Sequence, residues 1–358
     1  MDSQSYGLLV SGKLFGNNII DKIMAKLKLL FILGIMILIL ACQSGSEKTY
    51  LIKVGLSQNP EEPPARAFRL FKEIVEEKSA GKIRIEVYPN NQLGNQREVT
   101  EGIQLGTIQM SSISSVIAGF IPEVNIFELP FLFKNRDHFY AVLDSEIGNS
   151  LKPVFARRGF HLLGCFEVGV RHIMTVKRPI FSIDDLIGLK IRVMENPVHL
   201  DAFRAFGANP MPMAYGELYT ALEQGVIDGA EAANTNYYSK KFYEAAPYWA
   251  QVGWLHLVEY VVISRYFFER LPDEYKSLIE QTAAIMIANE RKWYRVNDNK
   301  TLKLLKEKGV KITYLDRKPF QKASQKVYKI WANKVGGMEL IQKIIDFDYQ
   351  SKNSKKDL

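Results

Sequence analysis

One basic side chain stands where the sequence could bind an anion. Arg192 belongs to a predicted strand at residues 189–194. Apolar residues alternate along this strand and share one face by the period of two: Leu189, Ile191 and Val193. The Arg192 side chain is therefore expected on the other face, near the carboxyl end of the strand. Because α/β sheets bind ligands at that end, we interpret Arg192 as the anchor of an anion site rather than as a surface arginine.

The elements that must position this arginine lie within residues 188–231. Asn196 and Pro197 provide an N-cap and a proline at the first helical position, which predicts a helix start. Gly207 and Gly225 stand where a left-handed residue would end a helix. The order strand, helix, short strand, helix, strand predicts a β-α-β-α-β unit.

A second unit of the same order precedes it. Alternation and helical spacing of apolar residues predict strands at 50–56 and 82–88, helices at 65–78 and 96–105, and a third strand starting at 107–110. Two open α/β sheets built alike favour two lobes with a cleft between them. Beyond them the pattern predicts a helix at 273–308, a strand at 310–314 and a helix at 319–335.

Length and composition narrow the class of protein. A chain of 358 residues favours two domains, and 47% hydrophobic with 24% charged residues is ordinary for a globular protein. The net charge of +8 forms no basic stripe, so nucleic-acid binding is not expected. The sequence has no P-loop and no Gly-x-Ser-x-Gly, Gly-x-Gly-x-x-Gly or His-Glu-x-x-His motif, and its five histidines are scattered. We expect neither catalytic residues nor a cofactor nor a metal site.

The amino-terminal segment carries a targeting pattern. Lys26 and Lys28 precede the apolar run LLFILGIMILILAC, which has the length of a signal peptide and is short for a transmembrane span. Its last four residues, 39–42, resemble a bacterial lipobox, in which Cys42 would be lipidated.

We therefore predict an amino-terminal extension and lipoprotein signal peptide at 1–41, with translation starting at Met24. The alternatives are a plain cleaved signal and an uncleaved anchor. With Cys42 lipidated, Cys165 is the only thiol left, which excludes an intramolecular disulfide and a cysteine metal cluster.

Several long segments resemble the solute-binding proteins of tripartite ATP-independent periplasmic (TRAP) transporters, of the DctP type. They are EEKSAGKIRIEVYPNNQLGNQRE, ELPFLF, GLKIRVMENP, FGANPMPMAYGELYTALEQGVIDGAE and KKFYEAAPYW. The resemblance covers residues 50–345. It implies a two-lobed α/β fold like that of type II periplasmic binding proteins, with crossing strands, a ligand cleft between the lobes and a long helix spanning both domains.

The resemblance also implies domain boundaries. Domain I would comprise residues 48–168 and 258–296, and domain II residues 169–257 and 297–350. A basic tail at 351–358 would follow.

The function implied is that of an extracytoplasmic receptor. Members of the family bind a small organic acid, close around it and deliver it to the small and large membrane subunits of a TRAP permease, without catalysis. We expect a monomer in the periplasm or at the cell surface, lipid-anchored to the membrane through Cys42. The alternative is a binding protein of an ABC-type importer or of a sensor.

The resemblance assigns roles to particular residues. Arg192 would pair with the ligand carboxylate, because a planar guanidinium makes two parallel charge-assisted hydrogen bonds. Arg171 would be a second arginine facing the ligand, and Gly169 before it suits a hinge strand. Tyr215 would line the pocket, although an aromatic residue before a helix is also often a staple onto the core.

One position departs from the family pattern. Relatives have an asparagine where this chain has Ala232, and that amide would bond to the ligand carboxylate. Asn234 or Asn236 could replace it, although neither spacing matches. Trp254 and Tyr237 are further candidates from the same lobe.

Domain I would contribute polar groups to the site. These are Ser57, Gln58 and the serine-rich segment 111–115, with Ser114 as the candidate contact. Hydroxyls at strand ends suit hydroxy acids or sugar acids, but serine runs are also common in loops.

Overall fold

The computed structural model describes residues 22–33 and 49–349. The chain divides into two units, Met1–Thr49 and Tyr50–Leu358. Of the first unit it describes helix α1, at residues 22–33, and Thr49. The predicted lipidation site Cys42 and the tail at 351–358 lie outside the described residues. Within the described residues, no helix has both the length and the apolar character needed to cross a membrane.

Residues 49–349 contain nine strands that form one sheet. The strands are β1 (Tyr50–Gly55), β2 (Ile83–Tyr88), β3 (Met110–Ile113), β4 (Phe160–Thr175), β5 (Lys190–Val193), β6 (Asn209–Pro212), β7 (Gly229–Ala232), β8 (Tyr248–Ser264) and β9 (Lys311–Tyr314). The order across the sheet is β2-β1-β3-β8-β4-β7-β5-β6, and β9 pairs with β8.

Helices cover and connect these strands. They are α2 (Pro63–Lys78), α3 (Gln96–Leu105), α4 (Arg136–Leu143), α5 (Glu146–Asn149), α6 (Lys152–Arg157), α7 (Pro197–Ala205), α8 (Leu218–Glu223), α9 (Asn234–Ser239), α10 (Phe242–Ala245), α11 (Arg265–Glu269), α12 (Asp273–Glu307), α13 (Arg317–Trp331) and α14 (Gly337–Ile345).

The two predicted β-α-β-α-β units are present and have the same topology. In the first half of the sheet β1 lies between β2 and β3, and all three strands are parallel. In the second half β5 lies between β6 and β7, again in parallel. Because both halves are wound alike, the carboxyl ends of β1 and β5 both open toward the middle of the molecule.

The prediction of two separate sheets is wrong. The strands β4 and β8 are 16 and 17 residues long and pair antiparallel along their length. The first half attaches to β8 through β3, and the second half attaches to β4 through β7. Two crossing strands therefore carry the backbone hydrogen bonds from one half of the sheet into the other.

Local sequence signals account for most element boundaries. Asn95 and Glu98 form a capping box at the start of α3, and Gly106 ends the helix with a φ of 78°. Helix α2 starts at Pro63, two residues earlier than predicted, because proline is tolerated in a first turn. Strand β3 starts later than predicted because the amides of residues 107 and 108 still bond to the carbonyl of Gly102.

Helix α12 packs against both halves of the molecule. Its first part buries residues in the core formed with α2, among them Ile279, Ala283 and Met286. Its last part packs near α9, and Leu305 joins the core of the second half. The long helix predicted at 273–308 is therefore confirmed, with its bounds at Asp273 and Glu307.

A glycine interrupts β4 at the predicted boundary between the domains. The pairing register of β4 with β8 shifts between Glu167 and Val170, and Gly169 has a φ of 76°. A Cβ at this position would lie 2.6 Å from the Cβ of Ala233 and 2.8 Å from Cε1 of Tyr294. The bulge therefore needs a residue with no side chain.

We predict that Gly169→Ala lowers the free energy of unfolding by about 2–4 kcal/mol, because backbone strain and overpacking add. Urea denaturation measures the loss. Gly159→Ala is the matched control, since Gly159 has a φ of 86° and nothing lies within 4 Å of a Cβ there. That variant should lose only about 1 kcal/mol. Equal losses in the two variants would contradict the packing argument.

Candidate functional site

A cavity lies between the two halves, where the carboxyl ends of their strands meet. The cavity is narrow in this conformation, since water-sized molecules can occupy only ≈ 30 Å³ of it. The first half lines it with Ser57, Gln58, Gln96 and Ser114, the crossing strands with Val168, Arg171, Leu257 and Glu259, and the second half with Arg192, Met194, Tyr215 and Asn236.

Two buried arginines share one buried glutamate on one side of the cavity. Arg171 Nε donates to Glu231 Oε2 at 2.7 Å, and its Nη2 donates to the Glu231 carbonyl at 3.2 Å. Arg192 Nε and Nη2 donate to the carbonyl of Met213, at 2.9 and 2.6 Å. Arg192 Nη1 lies 3.6 Å from Glu231 Oε1. Glu231 therefore holds Arg171 directly and faces Arg192.

The charges of this cluster do not balance. Burial opposes the ionisation of Glu231, but the Arg171 guanidinium outweighs it, so the pKa of Glu231 lies below its usual value. Burial lowers the pKa of Arg192, and the Glu231 carboxylate opposes this shift. Two guanidinium groups thus face one carboxylate. Buried charges are costly unless they are paired, so the cluster favours the arrival of one more negative charge.

Buried polar atoms without a hydrogen-bond partner occur at this cluster. Among the described residues they include Arg192 Nη1, Glu231 Oε1 and the Tyr215 hydroxyl. Arg192 and Tyr215 both line the cavity. A carboxylate in the cavity could accept from the free N–H groups and from the phenol, which is the chemistry of an acid-binding site.

The other side of the cavity is polar and carries no cation among its lining residues. Gln58 Nε2 donates to Glu259 Oε1 at 2.5 Å. Gln96 joins two hydroxyls, because its Nε2 donates to Ser57 Oγ at 3.1 Å and its Oε1 accepts from Ser114 Oγ at 2.8 Å. Burial raises the pKa of Glu259 to about 8, although the bond from Gln58 opposes the shift. Glu259 is therefore mostly neutral at pH 7.

The structure brings four of the predicted site residues together. Arg192, Arg171, Tyr215 and Ser114 line one cavity, joined by Ser57 and Gln58, which the sequence also indicated. The second half supplies Arg192 from the carboxyl end of β5 and Tyr215 from the segment after β6, as the predicted unit requires.

Three other predicted site residues do not line this cavity. Asn234 Oδ1 accepts hydrogen bonds from Trp249 Nε1 at 2.9 Å and from Gln251 Nε2 at 3.0 Å. The Tyr237 ring stacks on Trp249 at 4.1 Å, and Trp254 is buried among aromatic rings of the core. These three side chains therefore contact other residues of the core instead of lining the cavity.

Asn236 is the amide that reaches the cavity on the side of Ala232. Its Oδ1 accepts from Arg171 Nη1 at 3.3 Å, and its Nδ2 donates to Glu62 Oε2 at 2.7 Å. It lies on the first turn of α9, which places it beside the arginines although its spacing from Glu231 differs from the family pattern.

Sequence reasoning missed Gln96, Glu231 and Glu259 as parts of the site. One signal was available for Glu259, which is a single acid within the apolar run at 257–263 of β8. A lone acidic residue in such a run must be paired or functional, because burying it costs free energy.

Contacts beside the cavity join the two halves. Glu62, which follows β1, accepts from Asn236 Nδ2 and also from Ser239 Oγ at 2.8 Å. Lys240 Nζ donates to Asn90 Oδ1 at 2.9 Å. These bonds connect the first half to the residues of α9 and its end, so the structure has its halves in contact around the cavity.

A serine, a histidine and a glutamate also meet elsewhere, at the junction of the halves. Ser115 Oγ donates to Glu128 Oε2 at 2.6 Å, and His199 Nε2 lies 2.7 Å from the same oxygen. All three residues are fully buried. Both side chains bond to one carboxylate oxygen rather than forming a relay from serine through histidine, so this cluster has the geometry of a packed polar contact.

Comparison with known proteins agrees with this geometry. The family model DctP, bacterial extracellular solute-binding protein, family 7, matches residues 54–334. The 2,3-diketo-L-gulonate-binding periplasmic protein YiaO of Escherichia coli (strain K12) is 31% identical over 296 residues, 82% of this chain and 89% of that protein.

Solved structures have the same fold. The sugar acid binding protein DctPAm from Advenella mimigardefordensis, in complex with galactonate, has a TM-score of 0.81 and 31% identity, covering 84% of this chain and 97% of its own. A TRAP periplasmic solute-binding protein from Sulfurospirillum deleyianum, with bound succinate, has a TM-score of 0.81 and 32% identity, covering 84% and 100%.

The fold and these matches define a periplasmic receptor for small solutes, with two lobes and no catalytic activity. The chain belongs to the DctP family of solute-binding proteins of TRAP transporters. Its relatives bind sugar acids and other carboxylates. The alternative assignment to an ABC-type importer or a sensor is set aside.

We predict that the protonated state of Glu259 makes the free energy of unfolding depend on pH. Its folded pKa is raised from 4.5 to about 8, so the folded chain holds a proton that the unfolded chain has released. The stability advantage of the wild type over Glu259→Gln should fall by about 1 kcal/mol per pH unit between pH 5 and 8. Urea denaturation of both proteins across this pH range measures the difference in their free energies of unfolding. The contributions of other buried acids cancel in this difference, because both proteins contain them. Parallel curves would contradict a buried, protonated Glu259.

Proposed function

We propose that this receptor binds a small hydroxylated organic acid whose carboxylate is clamped by Arg192 and Arg171. The observation that carries the proposal is the charge imbalance of the cluster, in which two buried guanidinium groups face one buried carboxylate. An incoming carboxylate balances the charge and accepts a hydrogen bond from Arg192 Nη1. This atom has no hydrogen-bond partner among the described residues.

The class of acid is supported by two lines of argument. YiaO is named for 2,3-diketo-L-gulonate, and the Advenella protein was crystallised with galactonate. In this chain the first half and β8 line the cavity with hydroxyl, amide and carboxyl groups: Ser57, Gln58, Gln96, Ser114 and Glu259. Such groups suit a hydroxylated carbon chain, so we favour a sugar acid.

Binding and closure are coupled in the mechanism that we propose. The bonds of Glu62 to Asn236 and Ser239 join the halves beside the cavity, and separation of the lobes would break them. A ligand shifts the open–closed equilibrium only through better contacts in the closed state. We place the hinge at Gly169, between domain I (48–168 and 258–296) and domain II (169–257 and 297–350). The closed, monomeric receptor would deliver its acid to both TRAP permease subunits.

We expect Arg192→Ala to weaken acid binding by about two to three decades, because breaking a buried charge pair costs roughly 2–5 kcal/mol. A thermal-shift panel of sugar acids, keto acids and dicarboxylates selects the acid, and calorimetry measures its affinity. Arg204→Ala is the control, since Arg204 is an exposed arginine of the same lobe, paired with Asp201. Unchanged affinity in Arg192→Ala, or an equal loss in the control, would rule out the clamp.

We also propose that the receptor is lipid-anchored through Cys42, on the strength of the lipobox-like residues 39–42. In a host that processes lipoproteins, the wild type should fractionate with membranes. Cys42→Ala should move most of the protein to the soluble fraction, and metabolic labelling with a fatty acid should be lost. A wild type that is already soluble would favour a plain cleaved signal instead.

A further inference from the structure

Glu259 is a fully buried acid in the wall of the cavity, and neither Arg171 nor Arg192 is among the charges that shift its pKa. It belongs to β8 and lines the cavity next to Gln58. Its Oε1 accepts from Gln58 Nε2, while its Oε2 makes no hydrogen bond of ordinary geometry within the described part of the chain, although the buried Ser112 hydroxyl lies near enough to lower its pKa. A half-satisfied buried carboxyl destabilises the fold, and the four residues that follow it in β8, 260–263, are apolar or aromatic. A purely structural role does not explain an acid here.

The side-chain amide of Gln58, which bonds to Glu259, also has an unpaired oxygen. Gln58 Oε1 is buried and has no hydrogen-bond partner among the described residues. Gln58 and Glu259 therefore present two unsatisfied oxygens at one end of the cavity. Since burial raises the pKa of Glu259 to about 8, the carboxyl carries a proton near pH 7 and can donate as well as accept. A hydroxyl group, which also donates and accepts, fits both oxygens.

A second carboxylate fits the surroundings of Glu259 poorly. The first half lines the cavity only with uncharged residues, Ser57, Gln58, Gln96 and Ser114, and both arginines of the cavity already face Glu231. The nearby buried acids Glu62 and Glu290 add unfavourable charge interactions with Glu259 rather than supplying a cation. A second carboxylate would thus be buried without a positive partner.

We propose that Glu259, assisted by Gln58, is a specificity-determining residue that bonds to a distal hydroxyl of the acid. The receptor thereby selects hydroxylated monocarboxylates over dicarboxylates and over acids with an apolar tail. This inference rests on the proposed function, because it needs the carboxylate of the acid to be held by the arginines. A site built to hydrogen-bond a hydroxyl discriminates strongly against analogues that lack it.

Three six-carbon acids test the selection at pH 7. Galactonate has a hydroxyl at its distal end, galactarate has a second carboxylate there, and 2-hydroxyhexanoate has no hydroxyl beyond the second carbon. Calorimetry should give an affinity for galactonate that is at least about tenfold higher than for either of the others, since one unpaired buried polar group costs about that factor or more.

Two variants then assign the selection to Glu259. Glu259→Leu should weaken galactonate binding by about tenfold or more without weakening 2-hydroxyhexanoate, so that the preference between these acids is lost. Glu259→Gln keeps hydrogen-bonding atoms in the same place and should retain most of the preference. Glu128→Gln is the matched control, because Glu128 is an equally buried acid that neither lines the cavity nor shifts the pKa of Glu259, and it should leave the preference unchanged.

The outcomes separate the two proposals. If Glu259→Leu weakens all three acids equally, Glu259 has a structural role and the inference is overturned. A wild type that binds galactarate or succinate more tightly than galactonate also overturns it, while the arginine clamp stands. If Glu259→Leu does not fold, Gln58→Leu replaces it: loss of the amide that assists Glu259 should reduce the preference for galactonate over 2-hydroxyhexanoate, and an unchanged preference overturns the inference. A wild type that binds no acid of any class refutes the proposed function itself.

Discussion

The balance of charge among Arg171, Arg192 and Glu231 is the constraint on which the rest of the site depends. Three fully buried ionisable groups carry a net positive charge when all are ionised, and Glu231 can hold only one guanidinium at 2.7 Å. Removing two cations from water is unfavourable unless each is paired. In the function that we propose, the carboxylate of an acid completes this balance, so that bound acid would stabilise the fold by mass action.

The position of this cluster follows from the winding of the sheet. Each half places its first strand between the other two, so the residues after β1 and after β5 face each other across the centre. The crossing strands β4 and β8 connect the halves, and they contribute Arg171 and Glu259 to the same cavity. The arginines come from β4 and the second half, whereas the first half and β8 contribute hydrogen-bonding groups without a cation.

Local signals predicted a large part of this structure. Signals that act within a few residues can be recognised in a single sequence. Here they are the capping residues Asn95 and Asn196, the helix-ending glycines and the alternation in β1, β2 and β5. The continuous sheet could not be predicted from local signals, because β4 and β8 pair residues that are 73 to 104 positions apart. The core positions of Asn234, Tyr237 and Trp254 could not be predicted for the same reason, since each depends on packing partners from other elements.

The sequence by itself determined the two repeated units, the family and the arginine at the end of β5, since each rests on residues that are close along the chain. Only the tertiary structure decided which polar groups share the cavity. It brought the amide of Asn236 and the lone acid Glu259 to the cavity that the arginines also line. Whether a buried polar atom has a partner depends on contacts between distant segments, and that property separates a ligand-binding residue from one that serves the core.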